Sequence, residues 1–141
     1  MRDDLMVQQQ VSNVWQHMVG VICLNLTNRK QVKRVLPNFF SKWPTANALL
    51  HATRNEIEEV IAPLGMRSIR SKRLYRMSEQ FNDWDGEDAT KLYGIGKYGS
   101  DSYQLFYKNT IPKDVGDHEL QRYINEEFVY GEAIYFSYTS I

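Results

Sequence analysis

The stretch that decides the fold is Leu92-Tyr93-Gly94-Ile95-Gly96-Lys97-Tyr98-Gly99. Two glycines flank one aliphatic residue, and a helical pattern of apolar residues follows them. This spacing permits a tight hairpin whose backbone N–H groups point outward at the start of a helix, where they can bind an anion such as a phosphate. Similar turns also connect helices in proteins that bind nothing. The stretch therefore predicts a helix–hairpin–helix unit and leaves its ligand open.

An aspartate follows the hairpin at a fixed distance. Asp117 lies nineteen residues after Tyr98, behind a loop that contains Pro112 and Gly116. A helical pattern through Leu120 begins directly after it. Asp117 is therefore either the N-cap of that helix, accepting hydrogen bonds from the first-turn amides, or a carboxylate presented beside the hairpin for chemistry.

Apolar residues are spaced as in helices almost throughout, which predicts an all-α fold. A first helix with one broad buried face is expected from about Trp15 to Asn25, with Cys23 as a core thiol. The next helical run contains Pro37, which either kinks the helix or lies in its first turn.

Later helices carry end signals. Thr53 and Glu56 have capping-box spacing, and Ser68 is expected to cap the helix that follows. A further helix is predicted from about Lys97 to Tyr107, after the hairpin. The tail from residue 129 is either a last helix or packed coil.

Length and composition exclude several classes of protein. The 141 residues predict one domain over the whole chain, 1–141, with a hydrophobic core of its own. The single cysteine excludes internal disulfides and any all-cysteine iron–sulfur or zinc site. No stretch is apolar enough to span a bilayer. A soluble protein that is not secreted is expected, nuclear in a eukaryote and otherwise cytoplasmic.

Charge is unevenly distributed although the net charge is zero. Residues 1–76 contain 12 lysines and arginines against 5 acidic residues, and residues 77–141 contain 5 against 12. A local basic surface can therefore bind nucleic-acid phosphates despite overall neutrality. The densest cluster, predicted to face outward, is Arg67, Arg70, Lys72, Arg73 and Arg76. It is either a phosphate-binding surface or an ordinary solvated helix face.

Several stretches together point to a known family. They are Leu24-Asn25-Leu26-Thr27, Lys42-Trp43-Pro44, Pro63-Leu64-Gly65, the hairpin continued through Ser100-Asp101-Ser102-Tyr103, and Asp117-His118 with Leu120. In order and spacing from about residue 15 to 128, the chain resembles the helix–hairpin–helix (HhH-GPD) DNA glycosylase superfamily. Within it, the chain is similar to the glycosylase domain of the thymine and uracil glycosylases that carry a methyl-CpG-binding domain.

The resemblance implies catalytic roles at two positions. Asp117 takes the place of the catalytic aspartate, which stabilises positive charge on the deoxyribose or orients the attacking water. Tyr98 stands where members that also cleave the backbone have a nucleophilic lysine, and a phenol cannot form a Schiff base. The resemblance thus implies a monofunctional enzyme without AP-lyase activity. Tyr98 would line the pocket for the flipped base; its structural alternative is packing over the helix start.

Further DNA contacts are implied by the same resemblance. Leu26 takes the place of the finger that fills the gap left by the flipped base, with Asn25 and Thr27 steadying its loop. Gln8 is the expected glutamine of the pocket wall, in a loose register with Gln9 and Gln10. The residues expected at the DNA backbone are Gly94, Gly96, Lys97, Gly99, Arg67, Arg70 and Lys72. No iron–sulfur cluster or other metal is expected, except a monovalent cation on the hairpin carbonyls.

Two residues depart from the family pattern. Leu26 replaces an arginine finger, which weakens the expected recognition of the opposing guanine. Glu119 stands where a basic residue is usual, beside Asp117. The leading hypothesis is a monomeric enzyme that binds double-stranded DNA and removes thymine or uracil opposite guanine. The alternatives are a glycosylase for another damaged base, a non-catalytic helix–hairpin–helix DNA-binding module, and a helical domain for protein contacts.

Overall fold

Residues 13–126 fold into a bundle of seven α-helices, which confirms the predicted all-α class. The structure is a computed structural model that describes residues 13–126, without the side chains of Glu119 and Glu126. The helices are α1 (Val14–Leu24), α2 (Arg29–Lys42), α3 (Ala46–Leu50), α4 (Arg54–Ile61), α5 (Arg67–Phe81), α6 (Lys97–Tyr107) and α7 (His118–Glu126). Short 3-10 turns span Ala62–Leu64 and Ala89–Lys91. Residues 13–126 contain no strand.

Helix α1 lies at the centre of the bundle. All its residues from Trp15 to Cys23 are buried, because α2, α5 and α6 pack around it. The prediction that α1 buries one broad face is therefore incomplete, because these nine consecutive residues cover all sides of the helix. The predicted core thiol is confirmed, and burial raises the pKa of Cys23 to about 12.

Two polar residues of α1 are buried with long-range partners. Gln16 Nε2 donates to the Pro44 carbonyl at 3.1 Å. His17 Nε2 lies 2.9 Å from Ser102 Oγ, which donates to the Gly99 carbonyl at 2.9 Å. These bonds satisfy groups that would otherwise be costly to bury, and the second one joins α1 to the first turns of α6.

The helix ends follow the sequence signals with one exception. The Thr53–Glu56 capping box of α4 is confirmed, with both reciprocal hydrogen bonds present. Pro37 lies inside α2 rather than in its first turn. The prediction for Ser68 was wrong: α5 begins at Arg67, after Met66 in the left-handed conformation (φ 49°), so Ser68 is already helical. Its hydroxyl accepts a hydrogen bond from Arg54 instead, at 2.8 Å.

A second small core fixes the last helix. Leu105 and Phe106 of α6 pack against Leu120 and Tyr123 of α7, and all four are buried. The rings of Phe106 and Tyr123 lie 4.7 Å apart between centroids. This packing places the N-terminus of α7, and with it Asp117, beside the start of α6.

Candidate functional site

One cleft of about 890 Å³ brings most of the predicted site residues together. It lies between the α1–α2 loop, the glycine hairpin with the first turn of α6, and the start of α7. The predicted residues that line it are Asn25, Leu26, Thr27, Gly94, Gly96, Lys97, Tyr98, Gly99 and Asp117. Gln8 lies outside the described residues, as do the tail from residue 127 and the Glu119 side chain.

The hairpin has the geometry that its glycines predict. Gly94 is in the left-handed region (φ 85°), and the Ile95 amide donates to the Leu92 carbonyl at 3.1 Å. Gly96 caps α6 without a side chain, so the first-turn amides meet the cleft at the positive end of the helix dipole. Such an arrangement suits an anion.

Gly99 is required for packing as well. A Cβ there would lie 2.7 Å from Ile95 Cγ2 and 3.0 Å from Val21 Cγ1, closer than side chains approach. The missing side chain lets α6 pack against α1. Gly99 is buried, and its amide belongs to the first turn of α6.

Asp117 is both an N-cap and a residue of the cleft. Its Oδ2 accepts from the Leu120 amide at 3.0 Å, and its carbonyl accepts from the Gln121 amide at 2.9 Å. The cap interpretation is thus confirmed. The carboxylate is half-buried at the cleft wall, so the two roles are compatible.

Tyr98 lines the same cleft. It is the second residue of α6 and is half-buried, packing against both the main core and the small α6–α7 core. The packing alternative is therefore also present in the structure. The side chain still lines the cleft that contains Asp117.

The α1–α2 loop presents an apolar tip. Leu26 is 80% exposed and adopts a left-handed backbone with φ 57°, which is unusual for leucine. The Thr27 amide donates to the Leu24 carbonyl, and the Thr27 hydroxyl donates to the Asn25 carbonyl, both at 3.1 Å. These bonds are the steadying contacts predicted for the loop.

The prediction that Arg70 faces outward to DNA phosphate was wrong. Arg70 is 2% exposed, and its guanidinium donates to the carbonyls of Gly65, Cys23 and Asn25. The other two residues of the basic cluster that were predicted to contact DNA phosphate, Arg67 and Lys72, are exposed. Arg67 lies 3.9 Å from a Glu58 carboxylate oxygen. Lys72 lines a separate hollow of about 520 Å³ on the α4–α5 side, not the main cleft.

The ammonium of Lys97 has hydrogen-bond partners within the protein. Its ammonium donates to Asp101 Oδ2 at 2.9 Å and to the Lys113 carbonyl at 3.0 Å, while the side chain stays 57% exposed. The lysine therefore ties α6 to the loop that precedes Asp117. A phosphate could still approach it from the solvent side.

Two arginines of the cleft were not among the predicted site residues. Arg29 and Arg73 both line it. Arg73 lies against the hairpin, since a Cβ on Gly94 would be 3.3 Å from Arg73 Cβ. The sequence does indicate Arg73, because it belongs to the basic cluster and precedes the inward-facing Leu74 by one residue. Arg29 carried no comparable signal in the sequence.

Comparison with known proteins assigns the chain to a family. The profile of the family described as HhH-GPD superfamily base excision DNA repair proteins matches residues 19–127, most of the chain. The chain belongs to this superfamily. The resemblance recognised in the sequence motifs is thereby confirmed.

Two known proteins are similar in sequence to this HhH-GPD chain. It is 28% identical over 121 residues to a methyl-CpG-binding domain protein 4-like protein of Arabidopsis thaliana, covering 85% of the chain and 27% of the relative. It is 29% identical over 127 residues to a thymine/uracil-DNA glycosylase of Pyrobaculum aerophilum, covering 85% of the chain and 55% of the relative. The chain thus spans about a quarter of the first relative and about half of the second.

A solved structure supports the fold. The structure of a thermostable thymine-DNA glycosylase superposes with a TM-score of 0.66 at 22% identity, covering 74% of this chain and 50% of that chain. At this identity the likeness concerns the fold alone. Within residues 13–126, no helix is long and apolar enough to cross a bilayer. The same residues contain no group of three or more histidine, cysteine or acidic side chains placed to bind a metal ion.

Proposed function

We propose that this HhH-GPD chain is a monofunctional DNA glycosylase that removes thymine or uracil, chiefly opposite guanine, and leaves an abasic site for base excision repair. The observation that carries the proposal is the single cleft lined by the hairpin, the exposed Leu26 and the carboxylate of Asp117. The names of the relatives support thymine and uracil as the bases. The substrate is double-stranded DNA, bound by one protomer.

The DNA backbone would be held at the hairpin. Amides at Gly96 and in the first turn of α6 offer hydrogen bonds to a phosphate at the positive end of the helix. Arg73 beside Gly94 and Lys97 on α6 supply positive charge at the same wall. Arg67 and Lys72 would extend the basic surface along α5. A monovalent cation on the hairpin carbonyls stays a prediction, and no step of the chemistry depends on it.

The target base would leave the stack and enter the cleft. Extrusion costs a few kcal/mol, which an inserted side chain offsets by filling the gap. Leu26 has the exposure and the apolar character for this insertion. A leucine makes no hydrogen bond to the orphaned partner, so discrimination between opposing bases would rest on pairing strength more than on contacts.

Hydrolysis would depend on Asp117. The bond between C1′ and the base nitrogen breaks, its electron pair leaves with the base, and positive charge builds on the sugar. The carboxylate stabilises that charge and orients a water, whose oxygen bonds to C1′ while its proton passes through the site to the departing base. Asp117 and Tyr98 both line this cleft.

The absence of lyase chemistry is proposed from two residues. Tyr98 occupies the position of the nucleophilic lysine and has no amine. The neighbouring Lys97 has its ammonium held by Asp101 and by the Lys113 carbonyl, which opposes its use as a substitute nucleophile. Without a Schiff base, the DNA strand stays intact after the base has left.

The test uses duplexes that contain G·T, G·U or A·U, with a fully paired control. Abasic sites are revealed by alkali after incubation. Base release from G·T and G·U is expected, and Asp117→Asn should abolish it. No release from any duplex, or equal release by Asp117→Asn, would refute the proposal. Strand cleavage before alkali would contradict the monofunctional part, and salt-sensitive binding without release would favour the non-catalytic module.

A further inference from the structure

The buried side chain of Arg70 has no part in the chemistry proposed above. Its guanidinium donates three hydrogen bonds to backbone carbonyls: Nε to Gly65 at 3.0 Å, Nη1 to Cys23 at 3.2 Å and Nη2 to Asn25 at 2.7 Å. The planar fork of arginine donors suits several fixed acceptors at once. One side chain of α5 thus joins the end of α1 to the turn that precedes α5.

Two of these acceptors lie where α1 meets the loop that carries Leu26. The Asn25 carbonyl is part of the peptide bond to Leu26 itself, and the Cys23 carbonyl lies two residues earlier, in the last turn of α1. Leu26 keeps its left-handed backbone (φ 57°) although it is 80% exposed and has little packing of its own. A non-glycine residue adopts this conformation at a cost and needs surrounding contacts to hold it.

The other bonds of the loop are local. The Thr27 amide and hydroxyl bond to Leu24 and Asn25 within the same loop, so they shape it without attaching it to the bundle. The bonds from Arg70 come from 45 and 47 residues away in the chain. They attach the loop to α5, which is packed in the core through Leu74 and Met77.

We propose that Arg70 is a positioning residue that fixes the backbone from which Leu26 enters the DNA stack. The inference rests on the proposed function, because it assumes that Leu26 fills the gap left by a flipped base. Removing the guanidinium would loosen the loop, so that its local hydrogen bonds open more often and Leu26 is poorly aimed. The loss should therefore appear only where a paired base must be extruded.

The first experiment measures the loop without DNA. Amide hydrogen exchange is followed in the wild type, Arg70→Lys and Arg70→Met, the lysine variant serving if the methionine variant folds poorly. Faster exchange at Thr27 is expected, with the amides of α2 unchanged. Unchanged exchange at Thr27 would overturn the proposal, because the guanidinium would then not hold the loop.

The second experiment compares two substrates. One duplex has the target uracil opposite guanine, and the other has it opposite an abasic-site analogue, where no pair must be broken. Arg70→Lys should lose about tenfold or more in rate on the first and stay within about twofold on the second. In a Leu26→Ala background it should cause no further loss. Arg34→Met, which removes an exposed arginine of α2, controls for charge.

The outcomes separate the two proposals. A wild type that releases no base from either duplex refutes the proposed function and the wedge role with it, whatever the exchange data show. An active wild type whose Arg70 variants lose equally on both duplexes overturns the positioning role alone. So does a loss that adds to that of Leu26→Ala, since an effect transmitted through Leu26 cannot be additive with its removal.

Discussion

Lowering the pH from 7 to 5 should destabilise the protein through His17. The side chain is fully buried in α1, and burial lowers its pKa from 6.5 to about 3. Between these two values the unfolded chain binds a proton that the folded chain excludes. The free energy of unfolding therefore decreases as the pH is lowered. The slope reaches about 1.4 kcal/mol per pH unit only well below pH 6.5, so the loss between pH 7 and pH 5 is about 2 kcal/mol.

Urea unfolding at pH 7, 6 and 5 measures this loss. His17→Gln removes the titrating group, so its stability should depend less on pH by about 2 kcal/mol over the same range, whatever its absolute stability. His51→Gln, which changes an exposed histidine, should follow the wild type. Glu56 and Asp88, whose pKa values are lowered by hydrogen bonds, are present in all three proteins and cancel in the comparison. Equal pH dependence in the wild type and His17→Gln would refute the reasoning.

Two further variants test the frame of the cleft. Asp117→Ala should lower the free energy of unfolding by about 1 kcal/mol through loss of the cap, whereas Asp117→Asn, which keeps a capping oxygen, should retain most of that stability while losing base release. Calorimetry of both variants separates the cap from the proposed catalytic role. A large stability loss in Asp117→Asn would contradict the expectation that its amide oxygen still caps α7. Gly99→Ala should cost about 1–3 kcal/mol by overpacking against Ile95 and Val21. Gly116→Ala is the matched control, because its Cβ would meet nothing within 4 Å.

Local signals predicted the hairpin and its neighbours correctly. The predicted limits Lys97 and Tyr107 of the helix after the hairpin are those of α6. The capping box at Thr53 likewise needs only residues three apart. Such features are encoded in a few adjacent positions, so their physical causes are visible in the sequence.

Arg70 shows what local signals miss. The residue shares a helix face with Leu74 and Met77, at i, i+4 and i+7, so periodicity alone placed it inward. Its charge, in contrast, favours an outward position. Burying an arginine is acceptable only when its donors find acceptors, and two of those acceptors lie at Cys23 and Asn25. Partners so distant in the chain cannot be read from a pattern.

The same limit applies to α1 and to the cleft. His17 and Gln16 interrupt the apolar pattern and suggest an exposed side, yet both are buried against partners in Ser102 and Pro44. The cleft itself required the packing of α7 on α6. The sequence supplied Asp117 and the hairpin as candidates, but only tertiary packing could bring them to one wall.

The bonds of Lys97 determine which insertions the site can tolerate. Because the Lys97 ammonium donates to the Lys113 carbonyl, the connection between α6 and α7 is anchored at Lys113. Extra residues between positions 108 and 113 would bulge outward and leave the carboxylate where it is. Extra residues between 114 and 116 would lie beyond the anchor and shift Asp117 directly. Loop length could therefore vary among relatives on one side of Lys113 and would be constrained on the other.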